Sequence, residues 1–427
     1  MRVIQVNKFH YVKGGAERYY LDLSDALRRR GVAVRHLAME HPRNRPAQDG
    51  DAFVGEVDYR GSLNPLQKIR HGLRSIHNRE AARQAMATAR GERPVVAHLH
   101  NIYHQLSPSV VLAFARAGVP MVQTLHDYKL VCPAYLLMTG GEICERCKGG
   151  RYYESVRHRC LLGSRGASLV GMTEAYVHRF LGTYGRIARF LCPSRFMLEK
   201  VASFGIERSR LIHLPYFLPL GEYQPGAPRT RAAGEPPVAL YVGRLSREKG
   251  VATLVRAAAS LPAGTVRVRI LGEGPIGDEV MALARASTSG AAVEFLGYQS
   301  GSRLHDTIRD ADFVVVPSEW YENLPFAILE TFALGRPVLG AAIGGIPELV
   351  RNGETGCQFE SGNAESLARG LLWMCGQQAD LGAMGKRARK VVEEDHAEAG
   401  HLDRLLEIYR ELAPAPAAGA RPAGATR

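Results

Sequence analysis

Short apolar runs recur along this chain, each followed by a glycine-rich or polar turn and then by a stretch with apolar residues three or four positions apart. In the first half the runs are Val3–Val6, Ala33–Met39, Val95–Leu99, Val119–Thr124, Phe190–Cys192 and Leu211–Leu214. A continuous apolar run of this length fits a strand buried on both faces. Ala16 to Arg30 reads as a helix closed by Gly31. Residues 219–236, rich in Pro, Gly, Arg and Ala, read as a linker, after which the pattern restarts. Strands are predicted at Val238–Val242, Val266–Leu271, Val293–Leu296 and Phe313–Val316, with helices from Val251 and around Val280 and Leu304. Helices at about 363–376 and 378–394 complete the second half. Alternating strands and helices predict an α/β fold whose parallel sheets are covered on both faces. The expected architecture is two doubly wound, Rossmann-like domains, 1–218 and 237–395, facing each other across a cleft. The Ala/Pro/Gly-rich tail 413–427 is expected to be disordered.

The richest local chemistry follows the strand Phe313–Val316. Glu322 and Glu330 flank a predicted helix start, with Asn323 as its cap and Pro325 as its first residue. A strand that ends in such a turn presents free N–H groups where open α/β sheets bind ligands and helix N-termini attract phosphate. Glu330 is the sole ionisable residue from Asn323 to Gly335. A carboxylate in so apolar a helix needs a partner. Ribose hydroxyls would serve; the plainer readings are exposure to solvent or a structural pair with an Arg. Gly243-Arg244-Leu245-Ser246-Arg247-Glu248-Lys249-Gly250 likewise follows a strand and precedes a helix. Arg244 offers a planar fork suited to phosphate and Lys249 a mobile point charge. Gly14-Gly15 opens the first helix, where glycines let N–H groups approach phosphate. Gly272-Glu273-Gly274 and Leu296-Gly297-Tyr298 are loops at the same sheet edge, expected to frame a base through backbone groups. Asp310-Ala311-Asp312 matches a metal-binding string, but its position before a buried strand makes Asp312 a junction cap.

Pro317-Ser318, the Glu-x7-Glu spacing, Gly335-Arg336-Pro337-Val338 and Gly344-Gly345-Ile346-Pro347-Glu348 together resemble glycosyltransferase family 4. The resemblance spans roughly residues 1–412. It implies the GT-B architecture, a nucleoside-diphosphate-sugar donor of the UDP or GDP class, retaining chemistry and no catalytic cofactor. It implies that Arg244 and Lys249 meet the donor diphosphate under the Gly14-Gly15 loop. Glu322 and the backbone of Asn323, Leu324 and Pro325 would hold the sugar, and Glu330 the ribose. His126, in Gln123-Thr124-Leu125-His126-Asp127-Tyr128, matches a family histidine near the reacting sugar, as acid/base or as orienting group. His98 and His100 read as local structure. The last helix, 396–412, would cross back onto the first domain.

Charge sharpens the expected partner. Of the net +13, residues 1–218 carry 33 Lys+Arg against 17 Asp+Glu, and the remainder 22 against 25. One half therefore faces something anionic. No nucleic-acid motif is present, so an anionic membrane surface or a lipid-linked acceptor is the expected partner. The stretch Lys68 to Arg93 mixes basic and apolar residues as an interfacial helix does. No run reaches membrane-spanning length, and a strand at Met1–Val6 leads to the expectation of a cytoplasmic protein peripheral to the inner face of the membrane. Cys132, Cys144, Cys147 and Cys160 form Cys-x11-Cys-x2-Cys-x12-Cys. Structural zinc, free thiols, an iron–sulfur centre and a regulatory disulfide all fit that spacing. The reading reached is a retaining, metal-independent hexosyltransferase acting on a lipid-linked glycan in cell-surface polysaccharide assembly. The alternatives are a non-catalytic binding subunit and a nucleotide-sugar epimerase or hydrolase of the same fold.

Overall fold

The computed structural model describes residues 1–57, 64–90, 94–227, 229, 231, 232, 234–286 and 290–413. The tail from residue 414, Arg93 and the side chains of Leu66 and Lys68 lie outside that description. Strands β1 (Arg2–Val6), β2 (Ala33–Met39), β3 (Ala52–Val54), β4 (Val95–Leu99) and β5 (Met121–Thr124) belong to the first sheet. A two-stranded hairpin, β6 (Met138–Thr139) with β7 (Glu142–Ile143), precedes its last strands, β8 (Arg189–Cys192) and β9 (Leu211–His213). This sheet is parallel throughout, in the order β3-β2-β1-β4-β5-β8-β9. The second sheet comprises β10 (Val238–Val242), β11 (Arg267–Leu271), β12 (Ala292–Gly297), β13 (Phe313–Val316), β14 (Val338–Ala341) and β15 (Gly356–Phe359). It is also parallel, ordered β12-β11-β10-β13-β14-β15. Both sheets reverse their winding beside the first strand, between β1 and β4 and between β10 and β13. Those are the crevices where doubly wound sheets take ligands.

The helix Glu398–Leu412 buries Leu402, Leu405 and Ile408 in a core shared by both domains. Each such side chain contributes about 1.5–3 kcal/mol of burial. Two hydrogen bonds tie this helix to the first domain. Tyr19 OH meets His401 Nε2 at 2.9 Å, and Tyr409 OH meets His98 Nδ1 at 2.6 Å. The crossing-back predicted from resemblance is therefore present.

The basic stretch after residue 64 is not one interfacial helix. It is two, Pro65–Ile76 and Arg79–Thr88, broken where Asn78 accepts from Glu80 N and Ala81 N and so starts the second helix. Gly72 on the first of them faces Val170, which packs it against the helix Arg165–Phe180.

Candidate functional site

On the second domain's side of the cleft, β10 runs into a turn that ends at Gly250. This residue has φ +68°, and a Cβ there would lie 1.7 Å from the carbonyl oxygen of Pro317. Glycine is needed twice over, for the left-handed backbone and for the close approach. The turn sets Lys249 Nζ 2.7 Å from Glu322 Oε1. Ser318 donates to the same oxygen at 2.7 Å. Glu322 is 4% exposed, and the Lys249 ammonium also lies over the Trp320 ring at 5.2 Å. Gly344 clamps the Glu322 backbone from the other side. Its φ is +62°, and a Cβ would fall 2.3 Å from Glu322 O. Gly345 N donates to that oxygen at 2.8 Å. Arg244 is exposed, and its guanidinium has no partner among the described residues.

The helix after this loop runs Phe326–Ala333 with Pro325 as its cap residue and no side-chain cap. Pro325 thus sits one position outside the helix it was expected to begin. Asn323 does not cap it either, because its amide is spent across the cleft. Nδ2 donates to Leu125 O at 2.8 Å, and Oδ1 accepts from Ser194 Oγ at 3.1 Å. Leu324 is buried between these groups and the helix start.

Glu330 is 8% exposed and has protein partners. Arg18 Nη1 lies at 2.9 Å and Tyr223 OH donates at 3.2 Å, both to Oε1. Burial raises its pKa, opposed by the Arg18 guanidinium. The structural Arg pair foreseen as an alternative is thus formed, and across the two domains. Gly15 belongs to the same junction, since a Cβ on it would meet the Phe326 ring at 2.7 Å. Gly14 precedes it as the cap residue of the helix Gly15–Arg29.

The loops expected to frame a base are laced by backbone. Gly272 N donates to Gly297 O at 2.8 Å, and Leu245 N to Glu273 O at 3.0 Å. Gly274 lies against Leu245 O, and Leu296 belongs to β12. Asp312 accepts from Val238 N at 2.8 Å and pairs with Arg229 and Arg231, which uses it as a junction cap.

The first domain's side is built from rings. His126 follows β5, and both its nitrogens are engaged: Nε2 with His100 Nδ1 at 3.0 Å, Nδ1 with Tyr216 OH at 2.6 Å. His100 Nε2 meets Gln5 Oε1 at 2.6 Å. The amide oxygen can only accept, so His100 donates from Nε2 and accepts at Nδ1. His126 then donates from Nε2 and accepts at Nδ1 from the Tyr216 hydroxyl. Asn323 Nδ2 reaches that hydroxyl oxygen at 3.4 Å. The Tyr216 ring stacks on His126 and, on its other flank, on Phe326. Burial drives the His126 pKa down to about 3, with Lys8 as a lesser cause. His100 is therefore more than the local structure expected of it, and His98 stacks against it at 4.4 Å.

Four participants were not singled out in the sequence: Arg18, Tyr216, Tyr223 and Ser194. None stands in a recognisable motif. Glu348 was legible as part of the Gly-Gly-Ile-Pro-Glu string but carried no role. It accepts from Arg195 N at 3.0 Å and Phe196 N at 2.7 Å, capping a first-domain helix from the second domain.

Cys132, Cys144, Cys147 and Cys160 are all free thiols. Burial first, then the proximity of Cys132, Cys160 and Cys144, pushes the Cys147 thiol up to about 12. The four do not form a set with ligand atoms within 4.8 Å; among the described residues His10, His36 and Asp51 do. There, however, His36 has both nitrogens engaged, by Tyr20 OH at 2.6 Å and Arg28 Nη2 at 2.8 Å, and the Arg28 guanidinium opposes a cation.

Two family descriptions match this chain in tandem. Glycosyltransferase Family 4 matches residues 13–216, and Glycosyl transferases group 1 matches residues 227–391. The D-inositol 3-phosphate glycosyltransferase of Rhodococcus jostii is 33% identical over 230 residues, 50% of this chain and 50% of that protein. The chain thus aligns with about half the length of such curated relatives. Among solved structures, Anabaena HepE in complex with UDP and glucose superposes with a TM-score of 0.67 at 15% identity, over 96% of this chain and 100% of that one. WaaG, a glycosyltransferase involved in lipopolysaccharide biosynthesis, gives a TM-score of 0.63 at 16% identity, over 97% and 100%. These neighbours share the two-domain GT-B fold.

Proposed function

The chain belongs to glycosyltransferase family 4, and from that premise we propose that it is a retaining transferase that moves a sugar from a nucleoside-diphosphate-sugar to an acceptor hydroxyl. The observation that carries this reading is the Lys249–Glu322 pair at the β10–β13 crevice, facing the Gly14-Gly15 helix start across the cleft. In the reaction the bond from the anomeric carbon to the diphosphate breaks, and charge grows on the departing oxygen. Lys249, Arg244 and the N–H groups opening the helix Gly15–Arg29 meet that charge. Glu322 exchanges part of its hold on Lys249 for sugar hydroxyls. The acceptor oxygen bonds the same face of the sugar, and its proton passes to the departing phosphate. His126, neutral at physiological pH and engaged at both nitrogens, orients the sugar and does not titrate.

The acceptor in this reading is a lipid-linked glycan of cell-surface polysaccharide assembly, met at an anionic membrane. Phe180 is 90% exposed, Leu73 64% and Ile69 61%, alongside the exposed Arg70, Arg165 and Arg179. Apolar side chains set among cations suit an anionic lipid surface. Among the described residues no helix is long and apolar enough to cross a membrane.

Thermal shift against uridine- and guanosine-diphosphate sugars, without added metal, tests the donor reading. A donor at a hundredfold over its Kd stabilises by about 2.7 kcal/mol. A selective shift supports the reading and identifies base and sugar together. No shift with any donor overturns it. Co-sedimentation with phosphatidylglycerol vesicles, lost in Phe180→Ser with Ile69→Ser, tests the membrane reading.

A further inference from the structure

The segment between β5 and the helix Arg165–Phe180 has a second task that the cleft chemistry leaves unexplained. Its hairpin, β6 with β7, runs straight into Cys144-Glu145-Arg146-Cys147, and a tight turn follows in which Gly149 and Gly150 have φ of +76° and +85°. Cys144 N donates to Leu137 O at 2.8 Å, which fixes the start of the turn. Cys132 and Cys147 are buried, and Cys160 closes the group beside Thr139 at 3.6 Å. A hairpin leading into Cys-x2-Cys, with two further cysteines beside it, has the ligand number and spacing of a tetrahedral thiolate site.

The residue inside that turn touches the donor loop. Glu145 Oε1 accepts from Tyr321 OH at 3.2 Å and from Lys200 Nζ at 2.5 Å. Tyr321 directly precedes Glu322. Its ring is clasped by Phe196 at 4.9 Å and by the Lys200 ammonium at 4.4 Å, all from the first domain. Glu145 is therefore a brace from the cysteine loop to the sugar-binding loop, and its position depends on what holds the turn.

We propose that Cys132, Cys144, Cys147 and Cys160 bind one thiophilic divalent cation of the zinc class, and that the bound ion fixes Glu145 against Tyr321 and so braces the donor loop. Each thiol gives up its proton as it ligates, and the ion draws the sulfurs into a tetrahedron. The brace half of the proposal rests on the donor reading above; the metal half does not.

Elemental analysis of the full chain purified under reducing conditions, followed by cobalt substitution, tests the metal half without any donor. One zinc per chain and intense thiolate-to-cobalt absorption are expected, both lost in Cys144→Ser and kept in Cys357→Ser. A metal-free protein with all cysteines titrating as free thiols, or one purified with a disulfide in this loop, overturns the site and leaves the transferase reading untouched. Glu145→Gln tests the brace in a protein that still holds its metal. Donor affinity should weaken about tenfold, and chelation of the wild type should weaken it to the same degree. Unchanged donor affinity in both overturns the brace.

Discussion

The two sides of the cleft hold their polar groups in opposite ways. Around β10 and β13, full charges meet at contact distance, Lys249 on Glu322 and, at the domain junction, Arg18 on Glu330. Around β1, β4 and β5, the chain Gln5–His100–His126–Tyr216 carries no charge at all. Ion pairs at a crevice can be exchanged, because an incoming diphosphate or sugar offers each partner a substitute. A neutral chain with every nitrogen assigned cannot be exchanged without turning a ring, so it serves as a fixed wall. One side is built to respond to the ligand and the other to keep its shape.

The sharpest way to break this contrast is to deform the responsive side. Gly344→Val places side-chain atoms where Glu322 O now sits, 2.3 Å from the Cβ position. Donor-induced thermal shift should vanish, while circular dichroism stays that of a folded protein. A retained shift would mean that the loop does not hold the donor. Next in size, Lys249→Met should lower turnover by about 10²–10³-fold, the usual cost of losing one group that meets transition-state charge. Turnover within threefold of wild type would remove Lys249 from that role.

Glu330→Ala should raise the donor KM about ten- to a hundredfold if ribose hydroxyls share this carboxylate with Arg18. An unchanged KM would leave Glu330 as a purely structural partner of Arg18. The double variant Arg18→Met, Glu330→Ala separates the two, since a structural pair lost together costs less stability than either partner lost alone. On the rigid side, Tyr216→Phe should act in the opposite pattern. It removes the hydroxyl between His126 and Asn323, worth about 1 kcal/mol, and should lower kcat severalfold with little change in donor KM. A change confined to KM would show that the chain serves the donor after all.

The smallest expected effect is on pH dependence of stability. Burial holds His10 and His401 down to about 4, His126 to about 3 and His36 to about 2. Each lies below the ordinary 6.5, so between those values the unfolded chain binds more protons than the folded one. Stability therefore falls as pH drops through 6.5 towards 4. Asp22, raised by burial to about 6, acts in the other direction, losing stability as pH rises through that window, but the histidines outnumber it. The urea midpoint at pH 5 should lie below that at pH 7. Equal midpoints would mean that the histidine chain is protonated or solvated in solution.

Much of the responsive side could be read from the chain alone, and for a local reason. Glu322, Lys249 and the glycines around them lie within a few residues of strand ends that apolar runs announce. Their geometry is set by short turns whose glycines are themselves part of the pattern. The alternation of strands and helices likewise fixed two doubly wound domains and a returning last helix, because buried parallel strands must be continuous in apolar residues. What only the tertiary structure decided is which distant groups meet. Asn323 read as a helix cap because caps are local, but its amide found Leu125 O, 198 positions away. Arg18 found Glu330 from 312 positions away, and Tyr216 came to rest between His126 and Phe326. The basic stretch after residue 64 split in two at Asn78, whose capping bonds interrupt a pattern that periodicity alone reads as continuous. Periodicity and turn chemistry act over a few residues and are written in order along the chain. Partners across the cleft are chosen by the packing of two domains, which no local run of sequence specifies.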